Sequence, residues 1–459
     1  MVDSDFLGRR GCQMAIERGR GILPALEKRQ NQSGEDKHSP VPDAEQTPSL
    51  DHPDLFAQIA HGDRVRSGES SMPTFYEFFA GGGMANAGLG EGWRCTFAND
   101  FDEMKAATYR QNWGGDHLVC GDVARVKAED LPGAADLAWA SFPCQDLSLA
   151  GDYRGLGRAD SAAMTRSGTF WPFWKLMREL VQEGRAPRLI VLENVYGTLT
   201  SHGGKDFAAI SSALSGSEYR FGAVVVNARL FVPQSRPRVF FIAVRHGERI
   251  PPELVGNGPQ LLWHPATLTA AYEGLTTDTR KKWVWWNISP PLARSTVFAD
   301  LIEETPIGVD WHTPTETKHI LDMMSPVNKA KVAAAARVGR KIVGGVYRRT
   351  RPDKEGVKHQ RAEVRFDDVS GCLRTPAGGS SRQTILVIEG DKVRSRLLSP
   401  REAARLMGLD DSYKLPPRYN DAYHVAGDGV CVPVVRHLAD TMLEPIIAAN
   451  EMETTSIAA

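Results

Sequence analysis

Four short stretches of the chain combine residue types that can do chemistry together. The first is Phe79-Ala80-Gly81-Gly82-Gly83, an aromatic run delivered into glycines at a helix start. Gly81 and Gly83 there would let the backbone approach a ligand closely. Asp100 follows about twenty residues later, where a ribose-binding carboxylate would stand, and Asp122 ends the next strand in a similar place. Together they describe a site for an adenosine-containing group at the carboxyl edge of a sheet. Asn86 occupies the third glycine position of the dinucleotide fingerprint, which weakens a nicotinamide or flavin reading. The second stretch, Ser141-Phe142-Pro143-Cys144-Gln145, puts a thiol just past a strand and before the arginine-containing loop GDYRGLGRAD. Such a thiol is placed to be an activated nucleophile, with a buried structural cysteine as the alternative. Third, Glu193 closes the apolar run LIVL, where an unpaired carboxylate is expensive, so it should face a ligand. Last, Gln234-Ser235-Arg236-Pro237-Arg238 precedes VFFIAV, and strand alternation sets Arg236 and Arg238 on one side.

These groups need a scaffold, and the pattern supplies one. Strands are expected at 74–79, 94–99, 117–120, 137–141, 189–192, 223–227 and 239–244, with helices at 101–112, 170–182 and 206–214. That alternation predicts a doubly wound α/β fold, a mostly parallel Rossmann-like sheet with its last strand pair antiparallel. From about residue 249 the rhythm breaks. Glu316–Phe366 contains thirteen Lys or Arg against five Asp or Glu, although the whole chain carries a net charge of only −1. A solvated face is the bland explanation. The contrast with the neutral total, and Arg348, Arg349 and Arg351 beside Tyr347, favour a module facing a polyanion. After Leu397 helical periodicity returns, with Ser399 and Glu402 spaced as a capping box. The expected division is a mobile polar tail over 1–72, the sheet domain over 73–248, an inserted smaller module over 249–390, and a return to the sheet domain over 391–450; the resemblance given below implies that the sheet domain is catalytic and the insertion recognises the target. A short helix at 54–60 is expected within the tail.

Composition bounds the rest. Of 459 residues, 42% are hydrophobic, enough for a sizeable core, and the six cysteines form no CxxC pair. Neither a disulfide framework nor a metal site is expected. No membrane span or secretion signal is visible, so the expectation is a soluble, cytoplasmic monomer.

In their order, FAGGG, PCQ, ENV and QSRPR resemble the motif series of bacterial DNA (cytosine-5)-methyltransferases. The resemblance covers roughly 74–244 and 397–445, interrupted where that family carries its target-recognition domain. It implies S-adenosylmethionine as cofactor, with S-adenosylhomocysteine as product. Phe79, Gly81 and Gly83 match the cofactor loop, Asp100 the ribose carboxylate, and Phe101 the ring that packs on adenine. Asp122, with Val123, matches the adenine end. Pro143 matches a residue beside the methionine moiety, and Phe170 an apolar wall. Cys144 is implied as the nucleophile, Glu193 as the group at the N3/N4 edge of the base, and Arg238 as the contact on its O2 side. Arg236, grouped with them, anchors the loop or a phosphate. Implied DNA contacts are Gln145, Ser148, Arg154, Arg158 and Gln234, to which the charge run adds Arg348, Arg349 and Arg351. Two departures stand out. The usual fourth loop glycine is Met84, and the usual Gly-Asn-Ser-Val reads Gly427-Asp428-Gly429-Val430, which leaves Asp428 and Val430 as cofactor contacts without an amide donor or a hydroxyl.

The partner implied is double-stranded DNA, with nucleoid association following from it. A cognate restriction endonuclease is an optional partner that leaves no trace in this chain. Structured RNA is the alternative substrate, and a non-catalytic DNA-binding regulator the alternative class. The long basic insertion argues for duplex DNA, and the joint presence of Cys144, Glu193 and Arg238 argues for catalysis.

Overall fold

Seven runs rich in β-branched and aromatic residues form one sheet: β1 (Thr74–Phe78), β2 (Arg94–Asp100), β3 (Leu118–Cys120), β4 (Leu137–Ala140), β5 (Leu189–Val195), β6 (Tyr219–Asn227) and β7 (Pro237–Arg245). The computed structural model describes residues 72–143, 166–352, 356–374 and 382–458. The expected tail and its short helix therefore lie outside the described residues. So do Cys144, Gln145, Ser148, Arg154 and Arg158. The described residues belong to one unit, Gly68–Ala459.

Spatial order in the sheet is β3-β2-β1-β4-β5-β7-β6. The first five strands pair in parallel, and β7 runs antiparallel between β5 and β6. The expected antiparallel last pair is thus present. The winding reverses between β1 and β4, and in open α/β sheets the crevice beyond such a reversal is where ligands bind. Period-two alternation divides the side chains between two cores. Phe75, Trp139, Val191 and Ile242 belong to one, and Tyr76, Phe78, Ala138, Leu192 and Phe241 to the other. Helices α1 (Met84–Leu89), α2 (Glu103–Trp113), α3 (Phe170–Gln182) and α4 (Lys205–Ser215) connect these strands. The carboxylate of Asp102 caps α2 by accepting from the amides of Met104 and Lys105.

Residues 250–302 do not follow the expected division. They contain a two-stranded ribbon, β8 (Val255–Gly256) with β9 (Trp285–Trp286), and the helices α5 (Ala266–Glu273) and α6 (Thr277–Lys281). Trp263, Trp286, Ile288, Phe298 and Leu301 are buried in the core of the seven-stranded sheet. Gly222 of β6 permits this approach, because a Cβ there would lie 2.0 Å from the carbonyl of Val284. Residues placed with the recognition domain on sequence grounds therefore pack on the catalytic sheet.

A second sheet follows α7 (Pro314–Asp322) and α8 (Pro326–Ala336). Its strands are β10 (Ile342–Pro352), β11 (Lys358–Arg365), β12 (Thr384–Glu389) and β13 (Lys392–Leu397), antiparallel in the order β11-β10-β12-β13. Ile342, Val346, Leu386 and Ile388 meet α7 and α8 on one face, while Val343, Ile385 and Val387 join the main core on the other. The chain then returns through α9 (Pro400–Arg405), α10 (Tyr419–Asp428), α11 (Val432–Leu438) and α12 (Glu444–Ala458). The capping box expected at Ser399 and Glu402 starts α9. No helix among the described residues is long and apolar enough to cross a membrane, and none of them cluster as a metal-binding group.

Candidate active site

The glycine turn between β1 and α1 is held in a shape that few residues adopt. Phe79, Gly81 and Gly83 all have positive φ, at +57°, +57° and +78°. For Phe79 this left-handed conformation costs of order 1–3 kcal/mol, the kind of strain that concentrates at ligand sites. Gly82 is fixed from behind, its carbonyl accepting from Tyr413 Oη at 2.7 Å and Trp113 Nε1 at 3.0 Å. Gly81 faces open space. Its amide donates to Asp100 Oδ2 at 2.8 Å, and the Asp102 amide donates to Asp100 Oδ1 at 2.8 Å. A carboxylate has about four acceptor positions, so Asp100 keeps capacity for a pair of vicinal hydroxyls. Burial pushes its carboxyl up, opposed by the charge of Lys105. Phe101, next in sequence, is 80% exposed. Asp122 is exposed and caps a short helical turn by accepting from the Ala124 amide, while Val123 is buried.

Across the reversal, the ends of β4, β5 and β7 form the second half of the crevice. Glu193 is buried and paired with Arg238, with Nε 3.0 Å from Oε1. Arg238 reaches it because β7 is antiparallel to β5, which sets Arg238 opposite Val195 at the carboxyl edge. Buried Asn194 donates from Nδ2 to the Phe142 carbonyl at 3.1 Å, so the ENV stretch is tied to the backbone just ahead of Pro143 and Cys144. Cys372 was not anticipated. Burial opposes its ionisation, but the guanidiniums of Arg236 and Arg238 outweigh this and hold its thiol below the usual range. Phe170 has no exposed surface. It packs against Phe142 and Trp174, so it supports the crevice from behind rather than walling it.

Two of the polar residues expected at the site are built into the core. Arg236 is fully buried and donates to the carbonyls of Gly427 and Gly429 at 2.9 and 2.7 Å. It clamps the C-terminal motif onto β7, the anchoring alternative, and does not reach a reacting group. Gln234 is not a DNA contact. It has no exposed surface, donates to the Leu406 carbonyl at 2.7 Å and accepts from the Leu373 amide at 3.2 Å. Both of its hydrogen-bonding ends are consumed by backbone.

The two motif departures fit each other. Gly429 has an ordinary φ of −73°, so its backbone does not require glycine. A Cβ there would lie 2.0 Å from Met84 Sδ, and Met84 is buried. The methionine fills the place a serine would need. Asp428 ion-pairs with Lys105 at 2.8 Å, and Val430 is buried beside it.

On the second sheet Arg348 and Arg349 are exposed at the outer end of β10, and Arg349 lies 3.5 Å from Glu363. Alternation sends them to opposite faces. Arg351 stands in the same strand, with its side chain outside the described residues. Asp310, His312, Arg382, Arg418 and Tyr419 line a recess of about 520 Å³ nearby.

Residues 73–444 match the family model for C-5 cytosine-specific DNA methylase. The chain belongs to this family. The methylase is 24% identical over 379 residues to the Type II methyltransferase M.NlaX of Neisseria lactamica, covering 82% of this chain and 97% of that protein. It is 26% identical over 367 residues to M.HhaI of Haemophilus parahaemolyticus, covering 80% and 92%. Among solved structures, an Entamoeba histolytica methyltransferase superposes with a TM-score of 0.52 at 13% identity, over 82% of the methylase and 99% of its own chain. A Dnmt2 methyltransferase of S. pombe does so with a TM-score of 0.50 at 16% identity, over 82% and 99%. These two show the fold alone. The methylase is a DNA cytosine methyltransferase with a Rossmann-like sheet.

Proposed function

We propose that the methylase uses S-adenosylmethionine to methylate C5 of a flipped-out cytosine at a specific sequence in double-stranded DNA, through a covalent adduct between Cys144 and C6. The observation that carries this reading is the buried Glu193–Arg238 pair at the carboxyl edge, tied through Asn194 to the strand end that leads into Cys144.

The residues of the glycine turn fit an adenosyl group. Gly81 opens a cradle, Asp100 retains acceptor capacity beside it, and Phe101 offers an exposed ring. Bound there, the cofactor would supply an electrophilic methyl group. Cytosine C5 is a poor nucleophile, and thiolate attack at C6 makes it enamine-like, dividing one hard step into easier ones. Cys144 forms the bond to C6, and Glu193 holds the N3/N4 edge and supplies the proton at N3 as electrons move there. Arg238 keeps Glu193 in place and takes the O2 side. After C5 is methylated, N3 returns its proton to Glu193, C5 loses its own proton to a base, the electrons of that C–H bond restore the C5–C6 double bond, and Cys144 leaves as thiolate. The target atom is inaccessible within a duplex, so the base must leave the stack. Target recognition falls to the second sheet and its exposed arginines rather than to residues 250–302.

Incubation with tritiated S-adenosylmethionine and either unmethylated duplex DNA or total RNA tests this. Label in DNA 5-methylcytosine that Cys144→Ala abolishes is the expected result. Label confined to RNA, or persisting in Cys144→Ala, would overturn the substrate or the nucleophile respectively.

A further inference from the structure

Asp428 has a partner outside the motif series. Lys105, in the first turn of α2, donates from Nζ to Asp428 Oδ2 at 2.8 Å across 323 positions of sequence. Lys105 is the more sheltered of the two, its side chain 18% exposed against 31% for Asp428. Burial works against the Lys105 ammonium, but Asp428, helped by Asp100 and Asp102, outweighs it and holds the group above its ordinary range. Lys105 thus lies within electrostatic reach of both the ribose-side carboxylate and the C-terminal motif. Among the described residues Asp428 is the only hydrogen-bond acceptor of this ammonium, which carries three N–H donors. Donors therefore remain for a ligand. A ligand whose ribose sits on Asp100 and which extends toward Asp428 meets this cation, and the amino-acid end of S-adenosylmethionine carries one carboxylate.

We infer that Lys105 receives the carboxylate of the cofactor's amino-acid end, and that Asp428 is a positioning residue that holds Lys105 there. The inference rests on the cofactor reading above. It gives the departure from Asn to Asp a reason: the carboxylate works through a cation that an amide would not hold as firmly.

The test is calorimetry on the full chain with two probes. S-Adenosylhomocysteine carries the amino-acid end, and 5′-methylthioadenosine keeps the adenosine and the sulfur but lacks it. Lys105→Met is expected to weaken S-adenosylhomocysteine about tenfold or more, the size of one lost charge-assisted hydrogen bond. It should change methylthioadenosine less than about twofold, which is within ordinary context effects. Asp428→Asn should weaken S-adenosylhomocysteine by a smaller factor. The double variant Lys105→Met/Asp428→Asn, neutral as a pair, should bind no more weakly than Lys105→Met alone, because Asp428 acts through Lys105. Equal losses for both probes would indicate a structural role and overturn the inference. So would unchanged S-adenosylhomocysteine binding in Lys105→Met, or a double variant showing the sum of the two losses. If the unaltered protein binds neither probe, the cofactor reading itself fails and takes this inference with it.

Discussion

Replacing Gly429 by serine, the residue usual in the family motif, is expected to harm this protein. The backbone at 429 is extended and suits serine, so any penalty comes from space. The new Cβ would stand 2.0 Å from Met84 Sδ and 3.1 Å from its Cε, well inside contact distance. Met84 is 2% exposed and packed in the core, so it can yield only by moving its neighbours. Overpacking of this kind costs about 1–3 kcal/mol, a five- to 150-fold rise in the unfolding constant at roughly 1.4 kcal/mol per tenfold. Met84→Ala alone should cost about 2–5 kcal/mol, for lost burial and the cavity left behind. Together the two changes should be less costly than their sum by about 1–3 kcal/mol, since the alanine leaves room for the serine. Urea denaturation of the four proteins measures this coupling. Gly429→Ala is the control, because it brings the same Cβ without a hydroxyl. Additivity within about 0.5 kcal/mol, or a harmless Gly429→Ala beside a harmful Gly429→Ser, would refute the steric reasoning.

Burial pushes the Glu77 carboxyl up to about 8, although the amides of Asn86 and Ala85 restrain it. The folded state thus binds more protons than the unfolded one above the ordinary glutamate value of 4.5, and stability should fall as pH rises from there toward 8 by up to about 1.4 kcal/mol per unit. Glu77→Gln should flatten that fall and be the more stable protein at pH 8, and an unchanged slope in denaturation midpoints would count against a protonated Glu77. Gln234→Leu should cost about 2–4 kcal/mol by orphaning the Leu406 carbonyl and the Leu373 amide, while leaving preference among duplex targets alone. A shift in target preference without loss of stability would restore it as a DNA contact. Arg348→Ala/Arg349→Ala should weaken duplex binding alike across sequences and reduce the salt slope by about 1–2, near 0.9 per phosphate. An unaltered slope would mean that β10 does not face the polyanion.

Strands and helices of the seven-stranded sheet were most legible where they bury a continuous apolar run or stripe, as in LIVL of β5 and the Phe173, Leu176, Met177 and Leu180 face of α3. Residues 250–302 were not, because their contact with the sheet depends on isolated tryptophans and on the absence of a side chain at Gly222. Polarity misled at Gln234. A glutamine whose amide is satisfied at both ends by backbone is tolerated in a core, and those partners come from segments more than 130 positions away. The same distance hid Lys105. Its type and place on a helix are unremarkable until Asp428 is brought beside it, and no local pattern encodes that meeting.

The glycine turn lies early in the chain, yet most of what steadies it arrives late. Tyr413 reaches the Gly82 carbonyl from 331 positions downstream, Asp428 reaches Lys105 from 323, and Arg436 reaches the Leu89 carbonyl from 347. Loops of that length close slowly, and contacts of such separation govern how fast a topology forms. During synthesis, at about 5–20 residues per second, the first strands would wait on the order of half a minute before these partners emerge. A polypeptide interrupted before Tyr413 would carry the cysteine, the glutamate and the glycine turn, but of the groups that steady the turn only Trp113. Partial products should therefore be inert rather than promiscuous.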